Sequence, residues 1–100
     1  MKLVAVTACP TGIAHTYMAA EQLEKTAKKL GHSIKVETQG AMGIENELSQ
    51  AEVDGAEAVI IAADIAVERE ERFSRARKIQ VPVQAALKDP EAIFAGLNKD

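Results

Sequence analysis

The sequence is poor in the residue types on which several classes of protein depend. It has one cysteine, no tryptophan, one tyrosine and two phenylalanines in 100 residues. A single cysteine cannot close an internal disulfide, which favours a reducing cytosol. Three aromatic side chains cannot form a base-stacking platform, and twelve basic residues scattered among fifteen acidic ones, for a net charge of −3, form no phosphate-binding patch. Nucleic acid is therefore not an expected partner.

Long apolar runs are lacking as well. The longest, residues 58–63, is far shorter than the roughly 20 residues that cross a bilayer, so membrane insertion is not expected. No glycine-, serine- or proline-rich tract suggests a linker. Hydrophobic residues make up 47% of the chain and are spread along it, which suffices for one core. A single domain, residues 1–100, is the expected organisation.

Four segments have the pattern of β-strands. Residues 3–8 and 58–63 are apolar at consecutive positions, as in strands buried on both faces of a sheet. Residues 33–38 alternate apolar and charged side chains, and residues 79–83 contain Pro82, which is tolerated mainly at a sheet edge. Helical patterns separate the strands. These features predict an α/β fold: a single three-layer, Rossmann-like domain with a four-stranded parallel sheet of order 2-1-3-4 and flanking helices.

The helices between these strands are predicted from their spacing and their ends. Residues 13–30 carry apolar or small side chains every three or four positions, and Gly31 follows as a stop. A shorter helix is expected near residues 49–54. Asp89 caps a last helix whose first turn contains Pro90. The predicted inward positions of the first helix are Tyr17, Ala20, Leu23, Ala27 and Leu30.

Cys9 follows the first central strand, at the point where the predicted strand order reverses its winding direction and ligands usually bind. The first helix starts soon afterwards, and its unpaired N–H groups and dipole favour an anion. Pro10 holds Cys9 extended, and Gly12 lets the chain curl so that amides from Thr11 onward converge near the sulfur. These amides favour a nucleophilic thiolate and suit the oxygens of a phosphoryl group on sulfur, which predicts a phosphocysteine intermediate. The predicted phosphoryl-binding loop comprises Pro10, Thr11, Gly12, Ile13, Ala14, His15 and Thr16.

Several of these residues also have plainer interpretations. A lone cysteine often serves as a small buried hydrophobe, although a Pro-Thr-Gly turn at this point of the fold favours a chemical role for Cys9. Thr11 and Thr16 either bind phosphoryl oxygens or cap the helix. His15 either donates to the phosphoryl group, helps a proton to leave, or is simply packed or exposed to solvent.

Two other loops are expected beside the cysteine, at the ends of neighbouring strands. Gln39 and Gly40 either approach a ligand or belong to an ordinary turn. Asp64 either positions a partner or caps the turn before Ile65. Gln39, Gly40 and Asp64 are therefore the predicted residues of the site rim. One cysteine and two histidines so placed form no metal cluster, and no cofactor is expected.

Four strings stand in the order of a known family: VAVTACPTGIAHTYMAA (4–20), VETQG (36–40), GIENEL (43–48) and AADIAV (62–67). They resemble the fructose-specific B component of the bacterial phosphoenolpyruvate-dependent sugar phosphotransferase system, over about the whole chain. The resemblance implies a four-stranded parallel sheet and a cysteine, here Cys9, that takes a phosphoryl group from a phosphohistidine of the A component. The group then passes to fructose, or to mannose or a mannosyl derivative, bound in the membrane-embedded C component.

The same resemblance implies where the protein works. A B component without a membrane segment of its own is cytoplasmic, and it lies at the inner face of the cell membrane through its C component. The chain departs from the family pattern at residues 68–78, where the string EREERFSRARK is longer and more charged than expected. Its Glu68/Arg72 and Glu71/Arg75 spacings predict i,i+4 pairs in a charged stretch that could face a partner.

Two other functions fit parts of the sequence. The spacing from Cys9 to His15 and Thr16 is similar to the C-x5-R-S/T loop of low-molecular-weight protein tyrosine phosphatases, and Asp89-Pro90 is similar to their general acid. The arginine that grips the phosphoryl group there is missing, which favours a carrier over a hydrolase. A binding or redox module would oxidise Cys9 or leave it unused, and no second cysteine is present to resolve an oxidised sulfur.

Overall fold

The structure, a computed structural model, describes residues 1–9 and 13–97. Its strands are β1 (Lys2–Ala8), β2 (Ser33–Gly40), β3 (Gly43–Glu45), β4 (Ala58–Ala63) and β5 (Lys78–Val81). Its helices are α1 (Ile13–Lys29), α2 (Gln50–Gly55), α3 (Val83–Lys88) and α4 (Pro90–Leu97), with a 3₁₀ turn at Glu70–Phe73. Within the described part of the chain, every helix falls short of the length and hydrophobicity that a bilayer crossing requires.

The sheet has five strands in the order β3-β2-β1-β4-β5. Strand β1 pairs in parallel with β2 and β4, and β4 pairs in parallel with β5, so the order predicted for the four longer strands is confirmed. The prediction of a four-stranded, wholly parallel sheet is wrong, because β3 adds an antiparallel strand beside β2. Consequently β2 is not the edge strand that its alternating pattern predicted.

The additional strand β3 results from a tight hairpin after β2. Gly40 pairs with Gly43 across the turn, and Gly43 has φ 86°, a left-handed conformation that glycine adopts without steric penalty. Strand β3 has only three residues, and they carry no extended apolar alternation. A sequence pattern of that length cannot distinguish a strand from a loop.

Apolar side chains cover both faces of the central strands, which explains why β1 and β4 read as continuous apolar runs. Helices α1, α3 and α4 cover one face, and α2 with the 3₁₀ turn covers the other, so the domain has three layers. The core of the α1 face includes Leu3, Ala5, Leu23, Ile60 and Phe94. The core of the α2 face includes Val4, Val6, Leu48, Val59 and Phe73.

Helix α1 lies close to the sheet because its inward side chains are small. Ala19, Ala27 and Leu23 are fully buried, whereas Tyr17 and Leu30, which were predicted to point inward, are exposed. The buried stripe is therefore rotated relative to the predicted one. The helix ends as predicted at Gly31, which has φ 81° and takes part in a Schellman motif: its N–H donates to the Lys28 carbonyl, and the His32 N–H donates to the Ala27 carbonyl.

The last third of the chain contains one helix that the sequence did not reveal. Strand β5 ends at Val81, and Pro82 is the N-cap of α3, so the predicted strand over residues 79–83 is too long. The prediction for α4 is confirmed, since the Asp89 carboxylate accepts from the Ala92 N–H at 3.3 Å. Proline therefore marks a helix start twice within this segment.

A buried ion pair holds the α2 face together. Glu37 on β2 and Arg72 in the 3₁₀ turn are 0% and 4% exposed, and the guanidinium contacts both carboxylate oxygens at 2.7 and 3.0 Å. Arg72 also donates to the main-chain carbonyls of Leu48, Glu68 and Arg69. These five contacts engage every nitrogen of the guanidinium, so the buried charge is fully hydrogen-bonded.

The carboxylate partner is equally well satisfied. Burial raises the pKa of Glu37, but hydrogen bonds from Arg72, the Leu48 amide and Gln39 outweigh burial and hold the pKa of Glu37 below its ordinary value. The predicted i,i+4 pair of Glu68 with Arg72 is wrong. Arg72 points into the domain, and its contact with Glu68 is to the main-chain carbonyl and not to the carboxylate. The charged run 68–78 thus contains one arginine, Arg72, that is buried and paired with Glu37.

We expect Arg72→Leu to lower the free energy of unfolding by about 3–5 kcal/mol, because it leaves the Glu37 carboxylate buried without a cation. Urea denaturation at neutral pH measures this loss. Arg75→Leu, an exposed arginine of the same segment, is the matched control and should change stability by no more than about 0.5 kcal/mol. A loss below about 1 kcal/mol for Arg72→Leu, typical of a surface ion pair, would contradict the structural role of the pair.

Candidate active site

The ends of three parallel strands bring the predicted site residues together. Ala8, the last residue of β1, pairs with Gln39 of β2 on one side and with Ala63 of β4 on the other. The next residue of each strand or connection is Cys9, Gly40 or Asp64, so all three lie at the carboxyl edge of the sheet. Cys9 therefore lies, as predicted, between the connections that follow the second and third long strands.

Cys9 has a mixed environment. It is 7% exposed and packs with the apolar cluster on the α1 face, as the plainer interpretation of a lone cysteine requires. However, its sulfur also faces a polar group: Sγ donates to Oδ2 of Asp64 at 4.0 Å. The thiol thus lies at the boundary between the core and the carboxyl edge of the sheet.

Asp64 connects the sulfur to the helix that follows β5. Its Oδ1 accepts from the backbone N–H of Val83, the first residue of α3, at 3.1 Å. Its own backbone N–H donates to the carbonyl of Ala8 at 3.1 Å. The sequence suggested either a partner-positioning role or a cap before Ile65. The observed cap is on α3, which could not be anticipated because α3 was not predicted.

The loop after Cys9 is described only in part. Pro10, Thr11 and Gly12 lie outside the described residues, so the predicted amide cradle remains a prediction. Helix α1 begins at Ile13, and the two following residues of the predicted loop, Ala14 and His15, are exposed in its first turn. An exposed histidine near Cys9 in sequence is available to an approaching molecule.

Thr16 differs from its neighbours because it is 1% exposed. It is the fourth residue of α1, and its main-chain carbonyl accepts from the Thr7 hydroxyl at 3.0 Å, so it is not the N-cap residue. A Cβ on Gly40 would lie 3.8 Å from the Thr16 hydroxyl, an ordinary contact. Space at Gly40 therefore does not by itself require a glycine.

A shallow cleft adjoins this part of the edge. Two residues that line the cleft are hydrogen-bonded to each other: the Tyr17 hydroxyl donates to the Glu45 carboxylate and so joins α1 to β3. The side chain of Met42 at the hairpin turn is exposed, as is that of Ile65 after β4. Met42 follows β2 and Ile65 follows β4, the two strands that neighbour β1 in the sheet. The residues lining the cleft are Thr16, Tyr17, Thr38, Gly40, Met42 and Glu45.

Gln39 lies on the opposite face of the sheet from Cys9. It is 5% exposed, and its Nε2 donates to Glu37 at 2.6 Å and to the Glu68 carbonyl at 3.1 Å. Its Oε1 accepts from the Glu68 N–H at 2.8 Å. Gln39 therefore clamps the connection after β4 onto β2. The signal for this role was its i,i+2 spacing from Glu37, which puts both side chains on one face of a strand.

Within residues 1–9 and 13–97, no three His, Cys, Asp or Glu side chains converge closely enough to hold a metal ion. The chemistry that the described edge can offer is that of a sulfur, a carboxylate and an exposed imidazole.

Comparison with known proteins gives this geometry a context. Residues 4–95 match the family model described as PTS system, Lactose/Cellobiose specific IIB subunit. The chain is 53% identical over 100 residues to the fructose-specific EIIABC component of Bacillus subtilis (strain 168), covering 99% of this chain and 16% of that protein. It is 50% identical over 94 residues to the fructose-like EIIB component 2 of Escherichia coli (strain K12), covering 94% of this chain and 89% of that protein.

A solved structure of a fructose-specific domain has the same fold as this chain. A crystal structure of a domain from the fructose-specific IIABC component of Borrelia burgdorferi superposes with a TM-score of 0.89 at 49% identity, covering 94% of this chain and 89% of that one. The chain thus spans a small part of the Bacillus relative and nearly all of the Escherichia relative. The B domain occurs both alone and within longer proteins.

Replacing Gln39 with leucine should lower the free energy of unfolding by about 1–3 kcal/mol, because the Glu68 N–H loses its acceptor and the Glu68 carbonyl keeps only the hydrogen bond from Arg72. Chemical denaturation gives the stability, and hydrogen exchange should show faster exchange at the Glu68 amide. Gln80→Leu, on the exposed side of β5, is the control and should stay within about 0.5 kcal/mol. Unaltered exchange at Glu68 in Gln39→Leu would argue against the clamp.

Proposed function

The chain belongs to the IIB family of the phosphotransferase system as a fructose-type domain, and we propose that Cys9 is the residue that carries its phosphoryl group. The family role is phosphoryl transfer in sugar uptake. In the proposal, Cys9 accepts the group from a phosphohistidine of an A component. It then gives the group to a sugar bound by a membrane C component. No cofactor takes part.

Each step of this relay exchanges one bond for another. In the first, the phosphorus–nitrogen bond of the phosphohistidine breaks, a phosphorus–sulfur bond forms on Cys9, and the thiol proton passes to the departing imidazole. In the second, the phosphorus–sulfur bond breaks, a phosphorus–oxygen bond forms on a sugar hydroxyl, and the hydroxyl proton returns to sulfur. Neither step needs an oxidant or reductant, which suits a chain with a single cysteine.

The observation that carries the proposal is the position of Cys9. Its sulfur stands at the end of the central strand, at the edge where ligands bind in open α/β sheets, and α1 begins four residues later. The loop between them, with Thr11, Gly12 and the start of the helix, is proposed to supply the amides that hold the phosphoryl oxygens. The Thr16 side chain is buried, and its hydroxyl lies beside Gly40 near the end of β2.

The phosphatase alternative is not favoured. Asp89, which would have to act as its general acid, caps α4. Helix α3 starts beside Asp64 at the carboxyl edge and runs six residues before Asp89, a rise of about 9 Å away from that edge. The exposed His15 stands where a phosphatase would present an arginine.

Fructose is the sugar we propose, because the two relatives at 50% and 53% identity are named for fructose or a fructose-like system. The family model carries the description lactose and cellobiose, so membership of the family alone does not select a sugar. A relay domain does not itself have to hold the sugar. The choice of sugar then rests mainly with the C component.

The A and C components are the proposed partners, since the Bacillus relative is named EIIABC. Both must reach the same sulfur, so they would bind in turn at the carboxyl edge. Met42 and Ile65 are exposed on the connections after the two strands that neighbour β1, and we propose that they offer these partners apolar contacts. We propose residues 1–100 as one such B domain, at the cytoplasmic face of the membrane through its C component.

Phosphorylation of Cys9 is tested by intact mass. The wild-type protein, incubated with phosphorylated A component of a fructose system, should gain the mass of one phosphoryl group, and Cys9→Ser should gain none. Transfer to sugar should follow when membranes containing a fructose C component are added. Equal phosphorylation of Cys9→Ser would contradict the proposal, and catalytic release of phosphate from an aryl phosphate would favour the phosphatase.

His15 is proposed to assist transfer from the first turn of α1. If it donates to the phosphoryl group or moves a proton, His15→Ala should slow phosphorylation of Cys9 by about 100-fold, the lower end of what a positioned acid or base contributes. Rapid-quench measurement of phosphorylated B domain gives the rate. His32→Ala, which alters the histidine stacked on Phe94, serves as the control and should transfer at the wild-type rate. A wild-type rate in His15→Ala would remove this residue from the mechanism.

A further inference from the structure

Asp64 places a carboxylate beside the sulfur that is proposed to carry the phosphoryl group. Its Oδ2 lies 4.0 Å from Sγ of Cys9, and its Oδ1 accepts from the Val83 N–H at 3.1 Å. Its backbone N–H is bonded to the carbonyl of Ala8, the residue before Cys9. The carboxylate is thus held in place from two sides.

The contact between Asp64 and Cys9 is favourable when the sulfur is a free thiol and unfavourable when it carries a phosphoryl group. With a free thiol, the S–H group donates to the carboxylate, and the contact is favourable. A phosphoryl group on the same sulfur adds close to two negative charges at neutral pH. The carboxylate then lies within a few ångströms of like charge, which is unfavourable in a partly buried site.

We infer that Asp64 raises the phosphoryl-transfer potential of phosphorylated Cys9. This inference rests on the proposed function. The Asp64 contact stabilises the free thiol and destabilises the phosphorylated form. The phosphorylation equilibrium of Cys9 therefore shifts toward the unmodified domain, by the difference in interaction free energy between the two states. The carrier therefore yields its group readily to a sugar hydroxyl. Asp64 is a charge that tunes the energy of the intermediate, in addition to being the cap of α3.

Asp64→Asn separates the two roles. The amide oxygen of asparagine can still accept from the Val83 N–H, so α3 keeps its cap, while the negative charge beside the sulfur is removed. The matched control is Asp54→Asn, which removes an equal charge from an exposed residue of α2, near the amino end of β4. Circular dichroism and thermal unfolding confirm that each variant is folded.

The measured quantity is the equilibrium constant for transfer from phosphorylated A component to the B domain, read as phosphorylated fractions by intact mass from several starting ratios. We expect Asp64→Asn to raise this constant about tenfold, equivalent to about 1.4 kcal/mol, and Asp54→Asn to leave it within about twofold of wild type. An unchanged or lower constant in folded Asp64→Asn would overturn the inference while the proposed function stands. Failure of the wild type to accept any phosphoryl group would overturn both.

A second measurement on the wild type guards against a defect in folding of the variant. Because salt screens charge repulsion, the wild-type constant should rise by about threefold between low ionic strength and about 1 M, where the Debye length is about 3 Å. Asp54→Asn should show the same rise. A wild-type constant that is insensitive to salt counts against the role of Asp64. An equally steep rise in folded Asp64→Asn does so as well.

Discussion

The buried pair of Glu37 and Arg72 is the contact on which one whole layer of the domain depends. Arg72 reaches from the 3₁₀ turn to β2, to Leu48 before α2, and to the main chain at Glu68 and Arg69. The network continues beyond the pair, because Gln39 joins the Glu37 carboxylate to the same connection after β4. That connection begins at Asp64, whose carboxylate is held separately by the Val83 N–H.

The two faces of the sheet thus have different tasks. On the α1 face, small and apolar side chains pack a helix against the strands, and the Cys9 sulfur lies where this packed face meets the carboxyl edge of the sheet. On the α2 face, a satisfied set of buried polar groups holds the connection after β4, together with the buried side chains of Val67 and Phe73. A carrier of this design needs few functional side chains. Under the proposed function, it has to present one sulfur with defined neighbours to two partners in succession.

The sequence predicts those elements whose own residues mark them, by burial pattern or by capping residues. Strands β1 and β4 were predictable because both their faces are buried, and α4 because Asp89 and Pro90 mark its start. The position of Cys9 beside Asp64 followed from strand order alone. By contrast, α3 has only six residues, and the proline that caps it equally suited the end of an edge strand.

The ion pair and the clamp that the sequence did not predict depend on polar contacts between residues far apart in the chain. Arg72 is one of several arginines in a charged run, and nothing in that run distinguishes it from the exposed Arg75. Its partner lies 35 positions earlier in the chain. The same holds for Gln39, whose partners at Glu68 are known only once β2 and β4 are placed beside β1. Local periodicity reports which face a side chain is on, and not which charge it meets there.

The hairpin strand β3 has a consequence for how such a domain tolerates neighbours. By pairing with β2 it caps one flank of the sheet, and the other flank is the four-residue β5, which begins at Lys78 and stops before Pro82. A brief strand bordered by lysine and proline is a poor template for adding a foreign strand. In the Bacillus relative the matching region makes up 16% of a longer polypeptide, and short sheet edges of this kind oppose strand addition between neighbouring copies of such a chain.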